Sequence, residues 1–367
     1  MAIHSSRALS FSAAVLLLAG CGGGSAQAPG APSINSLIGL GVPGATALQQ
    51  HPDTSKSWIS PNAKSTKILL YVSDQYTNDV DIFEYKSGAA VGKITGFSLP
   101  YGLCVDAIGD VFVTSYYSAT VIEYAHGSKT QVEKLDTGGN AIGCSVSPSG
   151  DLAVSNYGSP GGAGSLVVFP NASGKPIRYT NSKFYYPWAP GYDSHGNLYV
   201  EAADEGLQTS VYELPFGGTS LKAVNFTQRI NLAAGVMWDG KFITLADQGY
   251  AADTTEIYQA TESPSGDLTL VGATNLRGEG SCIEVSIAQP FVVGRENTPI
   301  NLVQGSAVVG GNIDCGDQTL GYWNYPQGGL PSKELSMPTV VRRSIDAMPD
   351  KITTEYWGQA VSIKEGG

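Results

Sequence analysis

One short phrase recurs along the sequence, and this repeat constrains the fold more than any other feature. Each copy is a turn glycine followed by a segment in which apolar residues alternate. The copies are GDVFVTS (109–115), GDLAVSN (150–156), GNLYVEA (196–202), GKFITLA (240–246) and GSAVVGG (305–311). Alternation with a period of two predicts β-strands, and a glycine turn that joins two such segments predicts a β-hairpin.

A second phrase keeps the same register. It is a strand that ends in an aromatic or apolar residue, followed by a polar turn with glycine. Its six copies are DIFEYKSG (81–88), VIEYAHGS (121–128), LVVFPNASG (166–174), VYELPFGG (211–218), EIYQATESPSG (256–266) and GYWNYPQGG (321–329). Together the two phrases indicate a unit of roughly 45 residues, the length of a four-stranded propeller blade. We therefore predict an all-β fold, a six-bladed β-propeller.

The two ends of the repeat region suggest how the ring closes. The first unit starts at a second strand, ILLYVSD (68–74), and lacks a first strand before it. The chain ends with GQAVSIKEGG (358–367), which matches the first-strand phrase GCSVSPSG (143–150). We predict that the C-terminal segment completes the first blade, a velcro closure that also removes an exposed sheet edge.

The N-terminus has the pattern of an export signal. Arg7 precedes the short apolar run FSAAVLLLAG (11–20), and Cys21 follows at once. The segment LAGC (18–21) resembles the lipobox of bacterial lipoproteins. That resemblance implies that Cys21 is lipidated and holds the protein to a membrane, and Gly22 after it favours the outer membrane. The alternative is an ordinary signal peptide with a chance cysteine.

Composition divides the rest of the chain. The glycine-, serine- and proline-rich stretch GGGSAQAPGAPS (22–33) is typical of a flexible linker. We predict a signal peptide over 1–20, a lipidated cysteine and flexible tether over 21–64, and the propeller over 65–367. A net charge of −11 disfavours nucleic acid as a partner, because phosphate binding needs clustered basic residues. We expect a monomer.

Four cysteines remain after Cys21, an even number in an exported chain. The repeat register favours a disulfide between Cys104 and Cys144, which leaves Cys282 to pair with Cys315. The alternative is four buried free thiols.

The repeats resemble those of NHL and YncE-like six-bladed propellers, and more closely those of uncharacterised bacterial propeller lipoproteins. The phrases that carry the resemblance are GCSV…GDLAVSN, GYDSHGNLYV and WNYPQGG. The likeness covers about residues 65–367. It implies a fold and leaves the function open, because propellers include enzymes, binders and scaffolds.

Candidate site residues follow the second strand of each unit. The loops between second and third strands lie on one rim of a propeller, and polar or tyrosine residues recur there. They are Asp74, Tyr76, Tyr116, Asn156, Tyr157, Asp204, Asp247, Tyr250 and Asn312. Tyrosines would act as stacking platforms and Asp or Asn as acceptors in a site for a protein, peptide or glycan. The alternative is structural, because Asp, Asn and Ser at strand ends often close Asx or ST turns.

Two further patterns leave alternatives open. The aromatic run KFYYPW (183–188) fits either packing between blades or a sugar-stacking surface. The histidines His126 and His195 fall in turns, on edges that the pattern places in solvent.

The function predicted from these features is binding or scaffolding through one rim of a lipid-anchored envelope propeller, with no catalysis and no cofactor. The rival is a metal-dependent propeller hydrolase or lactonase. In that case Asp74, Asn156, Asp204 and Asp247 offer the oxygen ligands that Ca²⁺ prefers.

Overall fold

The computed structural model describes residues 54–75, 77–158, 162–248, 255–278, 291–293, 307–311, 319–336 and 356–364. These residues form strands and turns with two short 3₁₀ turns, Ala63–Ser65 and Pro170–Ala172. Within these ranges there is no helix long and apolar enough to cross a membrane.

Among the described residues, the strands form six antiparallel sheets. The first sheet contains β1 (Trp58–Ile59), β2 (Ile68–Asp74), β3 (Asp79–Glu84) and β4 (Ala90–Thr95). The second sheet contains β5 (Pro100–Val105), β6 (Val111–Ser115), β7 (Thr120–Tyr124) and β8 (Gln131–Asp136). The third sheet contains β9 (Asn140–Val146), β10 (Leu152–Tyr157), β11 (Ser165–Phe169) and β12 (Ile177–Tyr179). The fourth sheet contains β13 (Tyr186–Pro187), β14 (Gly191–Tyr192), β15 (Leu198–Ala203), β16 (Thr209–Leu214) and β17 (Lys222–Val224). The fifth sheet contains β18 (Ala233–Trp238), β19 (Ile243–Asp247), β20 (Thr255–Glu262) and β21 (Leu268–Leu276). The sixth sheet contains β22 (Phe291–Val293), β23 (Ala307–Gly311), β24 (Thr319–Asn324) and β25 (Lys333–Ser336). The last strand, β26 (Tyr356–Ile363), returns to the first sheet.

The repeated glycine phrase forms the predicted hairpin turns. Gly109, Gly150, Gly196 and Gly240 lie between the first and second strands of four successive sheets, each with a φ between 85° and 94°. This left-handed region is open to glycine without a steric cost. The remaining copy, at Gly305, lies outside the described residues.

Neighbouring sheets touch through their innermost strands all the way round. β26 contacts β5, β5 contacts β9, β9 contacts β14, β14 contacts β18, β18 contacts β22, and β22 and β23 contact β26. A cycle of sheets in which each contacts the next is a propeller, so the predicted all-β propeller fold is confirmed.

The C-terminal strand closes this ring. β26 pairs with β2 in antiparallel register from Ile68↔Ile363 to Asp74↔Tyr356. It therefore takes the innermost position of the first sheet, beside a strand that begins some 290 residues earlier in the chain, as expected from the repeat of the first-strand phrase.

Small residues let the innermost strands approach each other closely. A Cβ on Gly358 would lie 2.2 Å from the carbonyl oxygen of Tyr101 in the next sheet, and a Cβ on Gly143 would lie 2.5 Å from Cα of Ala189. Glycine is required where backbones come this near. This contact explains why the first-strand phrase carries glycine in several copies.

The disulfide expected from the register is present. Cys104 on β5 and Cys144 on β9 are joined, with 5.6 Å between their Cα atoms, so the bond links the innermost strands of the second and third sheets. Cys282 and Cys315 lie outside the described residues.

The first sheet includes two residues that precede the boundary predicted after residue 64. Trp58 and Ile59 pair with Lys93 and Gly92 on β4 and so add an outer strand to the first sheet. Two residues close to Pro61 are too few to show the alternating pattern of a strand in the sequence. The strand forms because β4 pairs with these residues.

Candidate functional site

The described polar residues that end the second strands lie at one rim, and they are buried. We call this end the upper rim; it comprises the loops after the second strands and the loops that enter each sheet. Asp74, Ser115, Asn156 and Asp247 all have at most 2% of their surface exposed. Side chains buried this deeply need partners inside the protein.

Those partners are mostly the loops that enter the same sheet. The Ser98 amide donates to Ser115 Oγ at 3.0 Å, and Asn156 Nδ2 donates to the Thr137 carbonyl at 2.9 Å. The Asp247 carboxylate accepts from the backbone amides of Asn231 and Leu232 at 2.9 and 3.0 Å. The recurrence of a polar residue at this position therefore has a structural cause: it fixes the entering loop.

Asp204 does not belong to this series. The residue of β15 that occupies the equivalent place is Ala202, because the second strand of the fourth sheet continues to Ala203. The Asp204 carboxylate instead closes its own turn and accepts from the amides of Gly206 and Gln208 at 2.9 and 3.0 Å. Tyr76, Tyr250 and Asn312 lie outside the described residues.

The three acids proposed as metal ligands for a hydrolase, Asp74, Asp204 and Asp247, do not share one acidic group. Within the described part of the chain, acidic side chains come together in two groups, Asp74 with Asp79 and Asp81, and Asp106 with Asp110 and Glu123. Neither group contains Asp204 or Asp247.

The tyrosines of the rim do come together. Tyr116 packs edge-on against Tyr117 at 5.1 Å between ring centroids, and Tyr157 packs against Tyr186 at 5.0 Å and Trp188 at 6.2 Å. Tyr185 extends the series, 6.1 Å from Tyr186. We call Tyr116, Tyr117, Tyr157, Tyr185, Tyr186 and Trp188 the aromatic patch; it spans the second, third and fourth sheets.

The patch has a buried base and an exposed layer. Tyr116, Tyr157 and Trp188 are buried in one hydrophobic cluster. Tyr117 is 54% exposed, while Tyr185 and Tyr186 are half-buried. A rigid base that presents aromatic faces to solvent is suited to stacking on a ligand.

Burial keeps the phenols of Tyr116 and Tyr157 neutral. It raises the pKa of Tyr116 to about 12, and a hydrogen bond with Asn140 partly opposes this rise. Burial raises the pKa of Tyr157 well above its ordinary value, and the neighbouring phenols of Tyr186 and Tyr116 add to the effect. The base of the patch therefore carries no charge on its phenols.

The run KFYYPW contains buried and partly exposed residues. Phe184 is fully buried and packs edge-on against Tyr212 at 5.3 Å, and Trp188 is buried as well. These two residues pack inside the protein, as the first interpretation expects. Tyr185 and Tyr186, which lie between them in the sequence, are half-buried.

A cavity of about 460 Å³ on the same rim had no clear signal in the sequence. It lies between residues 207–211 and residues 224–231, and its lining mixes amides, hydroxyls, Arg229 and Phe226. Its apolar members Val211 and Ile230 belong to the hydrophobic cluster that supports the aromatic patch. Only the amide-rich segment NFTQRIN (225–231) could have pointed to it.

Glu201 is a second residue that the sequence did not single out. It is fully buried on β15, and its Oε2 accepts from the amides of Ala234 and Gly235 at 3.2 and 3.0 Å. Burial raises its pKa well above the ordinary value. The side chain joins the fourth sheet to the fifth.

His126 is also placed differently from the expectation. His195 is exposed, as predicted, but His126 is partly buried beside the chain ends. Its Nδ1 lies 2.6 Å from Ser362 Oγ on β26, and its Nε2 lies 2.7 Å from the carbonyl oxygen of Thr66. The ring thus joins the two segments that close the propeller.

Comparison with solved structures supports the fold. The chain is similar to a chain of a nidogen/laminin complex, with a TM-score of 0.56, 12% identity, and coverage of 81% of this chain and 99% of that one. A protein of unknown function from Bacteroides caccae gives a TM-score of 0.54, 12% identity and the same coverage, and a hydrazine synthase from Kuenenia stuttgartiensis gives 0.51, 14% identity, and coverage of 77% and 80%. No family model and no curated protein matches the sequence. At these identities the likeness concerns the propeller fold alone.

Proposed function

We propose that this chain is a lipid-anchored, six-bladed propeller of the bacterial cell envelope that binds a ligand through its upper rim. The six sheets, one for each copy of the second sequence phrase, support the blade number. The lipobox-like LAGC (18–21) and the linker after it support an anchor at Cys21 on the outer membrane. The repeated sequence phrases support an NHL- or YncE-like propeller.

The observation that carries the binding proposal is the aromatic patch. Three partly exposed tyrosines, Tyr117, Tyr185 and Tyr186, stand on a buried aromatic base that extends across three neighbouring sheets. Partly exposed aromatic side chains held on a rigid base are characteristic of recognition surfaces, because little conformational entropy is lost when a ligand covers them.

The chemistry of the rim favours an uncharged or weakly charged ligand, a glycan or a peptide. Neutral phenols supply flat faces and hydroxyl groups. The adjoining cavity adds the side-chain amides of Gln208, Asn225, Gln228 and Asn231. Stacking faces beside amide and hydroxyl donors can bind both a sugar ring and a peptide backbone.

A glycan and peptide array probed with the mature full-length protein tests the binding proposal. We expect hits that disappear when Tyr117→Ala and Tyr186→Ala are combined. Phe216→Ala is the matched control, since Phe216 is 71% exposed and lies in the turn between β16 and β17, at the other rim. Hits that persist without the two tyrosines, or that Phe216→Ala removes equally, would contradict the proposal.

The anchor is tested separately. Labelled fatty acid fed to cells that express the full chain should be incorporated into the wild type and not into Cys21→Ala. Equal labelling of both would show that Cys21 is not the lipidation site, and it would leave the rim proposal untouched.

A further inference from the structure

The strongest unexplained feature outside the rim patch is a buried group of carboxylates on the first sheet. Asp74 on β2 and Asp79 and Asp81 on β3 are at most 5% exposed, and each has a carboxylate oxygen within 4.8 Å of the others. In the register of the sheet, Asp74 is opposite Asp79 and Val72 is opposite Asp81, so the three acids share one face. Val72 places this face against the sixth sheet, because it packs in the cluster that includes Val309 and Leu320.

A lysine lies against this group. Lys93 Nζ lies 2.8 Å from Asp79 Oδ2 and 3.5 Å from Asp81 Oδ1. Carboxylates that are buried this close together repel one another, and a cation bound between them would relieve that repulsion.

An independent observation at the same place is Gln359 on β26. It is 2% exposed, and neither its Oε1 nor its Nε2 has a hydrogen-bond partner in the structure. Gln359 is opposite Val72, Val72 is opposite Asp81, and Asp81 is opposite Lys93, so these side chains form one row on one face of the sheet. Gln359 is also a diagonal neighbour of Asp74 on that face, within reach of a long side chain. A buried amide without a partner, on the face of the sheet that carries the carboxylate group, can supply an oxygen ligand to a cation there.

We propose that Asp74, Asp79, Asp81 and Gln359 bind one calcium ion between the first and sixth sheets. Three carboxylates and an amide oxygen are hard ligands of the type that Ca²⁺ takes. A divalent charge would offset the repulsion among the three carboxylates. Mg²⁺ is the poorer fit, because it keeps several waters and the site is buried.

The ion would act at the closure of the ring. Gln359 belongs to the C-terminal strand β26, whereas the three acids belong to β2 and β3 of the first sheet. One cation that binds all four side chains would hold β26 to β2 and β3 of the first sheet, on the side that faces the sixth sheet. This role is structural, and it does not depend on ligand binding at the upper rim.

The test uses the mature full-length protein after treatment with a chelator, followed by calorimetric titration with Ca²⁺ and, separately, Mg²⁺. We expect one Ca²⁺ per chain, weaker binding of Mg²⁺, and a higher melting temperature in Ca²⁺. Gln359→Leu keeps the packing volume and removes the oxygen, so it should weaken Ca²⁺ binding at least tenfold. Asp74→Asn should do the same.

Two further variants make the outcome decisive. Lys93→Met removes the competing positive charge and should tighten Ca²⁺ binding, an effect that a merely misfolded variant would not show. Glu123→Gln alters the other acidic group, on the second sheet, and should leave binding unchanged. Absence of Ca²⁺ binding by the wild type, or binding that Gln359→Leu and Asp74→Asn leave intact, would overturn the proposal.

Discussion

The disulfide between Cys104 and Cys144 allows a quantitative prediction. It joins the innermost strands of two adjacent sheets across a sequence separation of 40 residues. In the chain-entropy model, a cross-link that closes a loop of this length restricts the unfolded chain by about 4 kcal/mol at 25 °C. The perturbation is the double variant Cys104→Ala/Cys144→Ala, which removes the bond without leaving a free thiol.

The assay is equilibrium unfolding in guanidinium chloride, followed by tryptophan fluorescence. We expect the free energy of unfolding of the double variant to be lower by about 3–4 kcal/mol. The variant Cys104→Ser/Cys144→Ser should give a similar loss, which controls for the small change in packing. A loss below about 1 kcal/mol in both experiments would show that the bond does not restrict the unfolded chain as the model assumes.

Further predictions concern the ring closure and the rim. Gly358→Ala should lower the free energy of unfolding by about 3 kcal/mol, because its Cβ would meet the Tyr101 carbonyl at 2.2 Å; an unchanged melting curve would contradict the close contact. Asp247→Ala should cost about 3 kcal/mol, since it leaves buried amides without an acceptor, whereas Asp204→Ala, in an exposed turn, should cost under about 1 kcal/mol; equal losses would refute the distinction. Burial lowers the pKa of His126, so the unfolded chain binds its proton more tightly, and stability should be full above about pH 6.5 and decline as the pH falls below it. Thermal unfolding from pH 5 to 8 should show a smaller decline in His126→Gln; an identical profile would exclude this histidine as the cause.

The propeller could be predicted because its local signals repeat. The turn glycines Gly109, Gly150, Gly196 and Gly240 hold the same conformation in four sheets, so one phrase reported the same hairpin four times. The position of β26 could be predicted because the last strand carries the same glycine as its counterparts and for the same reason, the close approach of a neighbouring strand.

Features without a repeat could not be predicted in this way. The strand at Trp58 consists of two residues and exists because β4 offers a free edge. The first strand of the fourth sheet is divided into β13 and β14 around Pro190, so it departs from the phrase that marks its equivalents. Asp204 follows the end of β15 and lies two residues past Ala202, the residue in the place that Asn156 occupies on β10, so the sequence phrase alone did not separate it from the strand-end residues.

The candidate site was predicted in part. The sequence identified the rim and its tyrosines, and Tyr116 and Tyr157 do lie in one cluster. It could not show that Asn156 and Asp247 are turned inward to hold loops, because that depends on backbone groups far away in the chain. The acidic group had a local signal, since in NDVDIFE (78–84) two acids alternate with apolar residues and therefore share one face of a strand.

The most direct test of the central claim is the affinity of the strongest array hit for three forms of the mature protein. Each lost aromatic contact is worth about 1 kcal/mol beyond the area that it buries, so Tyr117→Ala/Tyr186→Ala should bind about 30-fold more weakly than the wild type. Phe216→Ala, at the opposite rim, should bind as the wild type does. If the double variant kept full affinity, the aromatic patch would not be the binding surface.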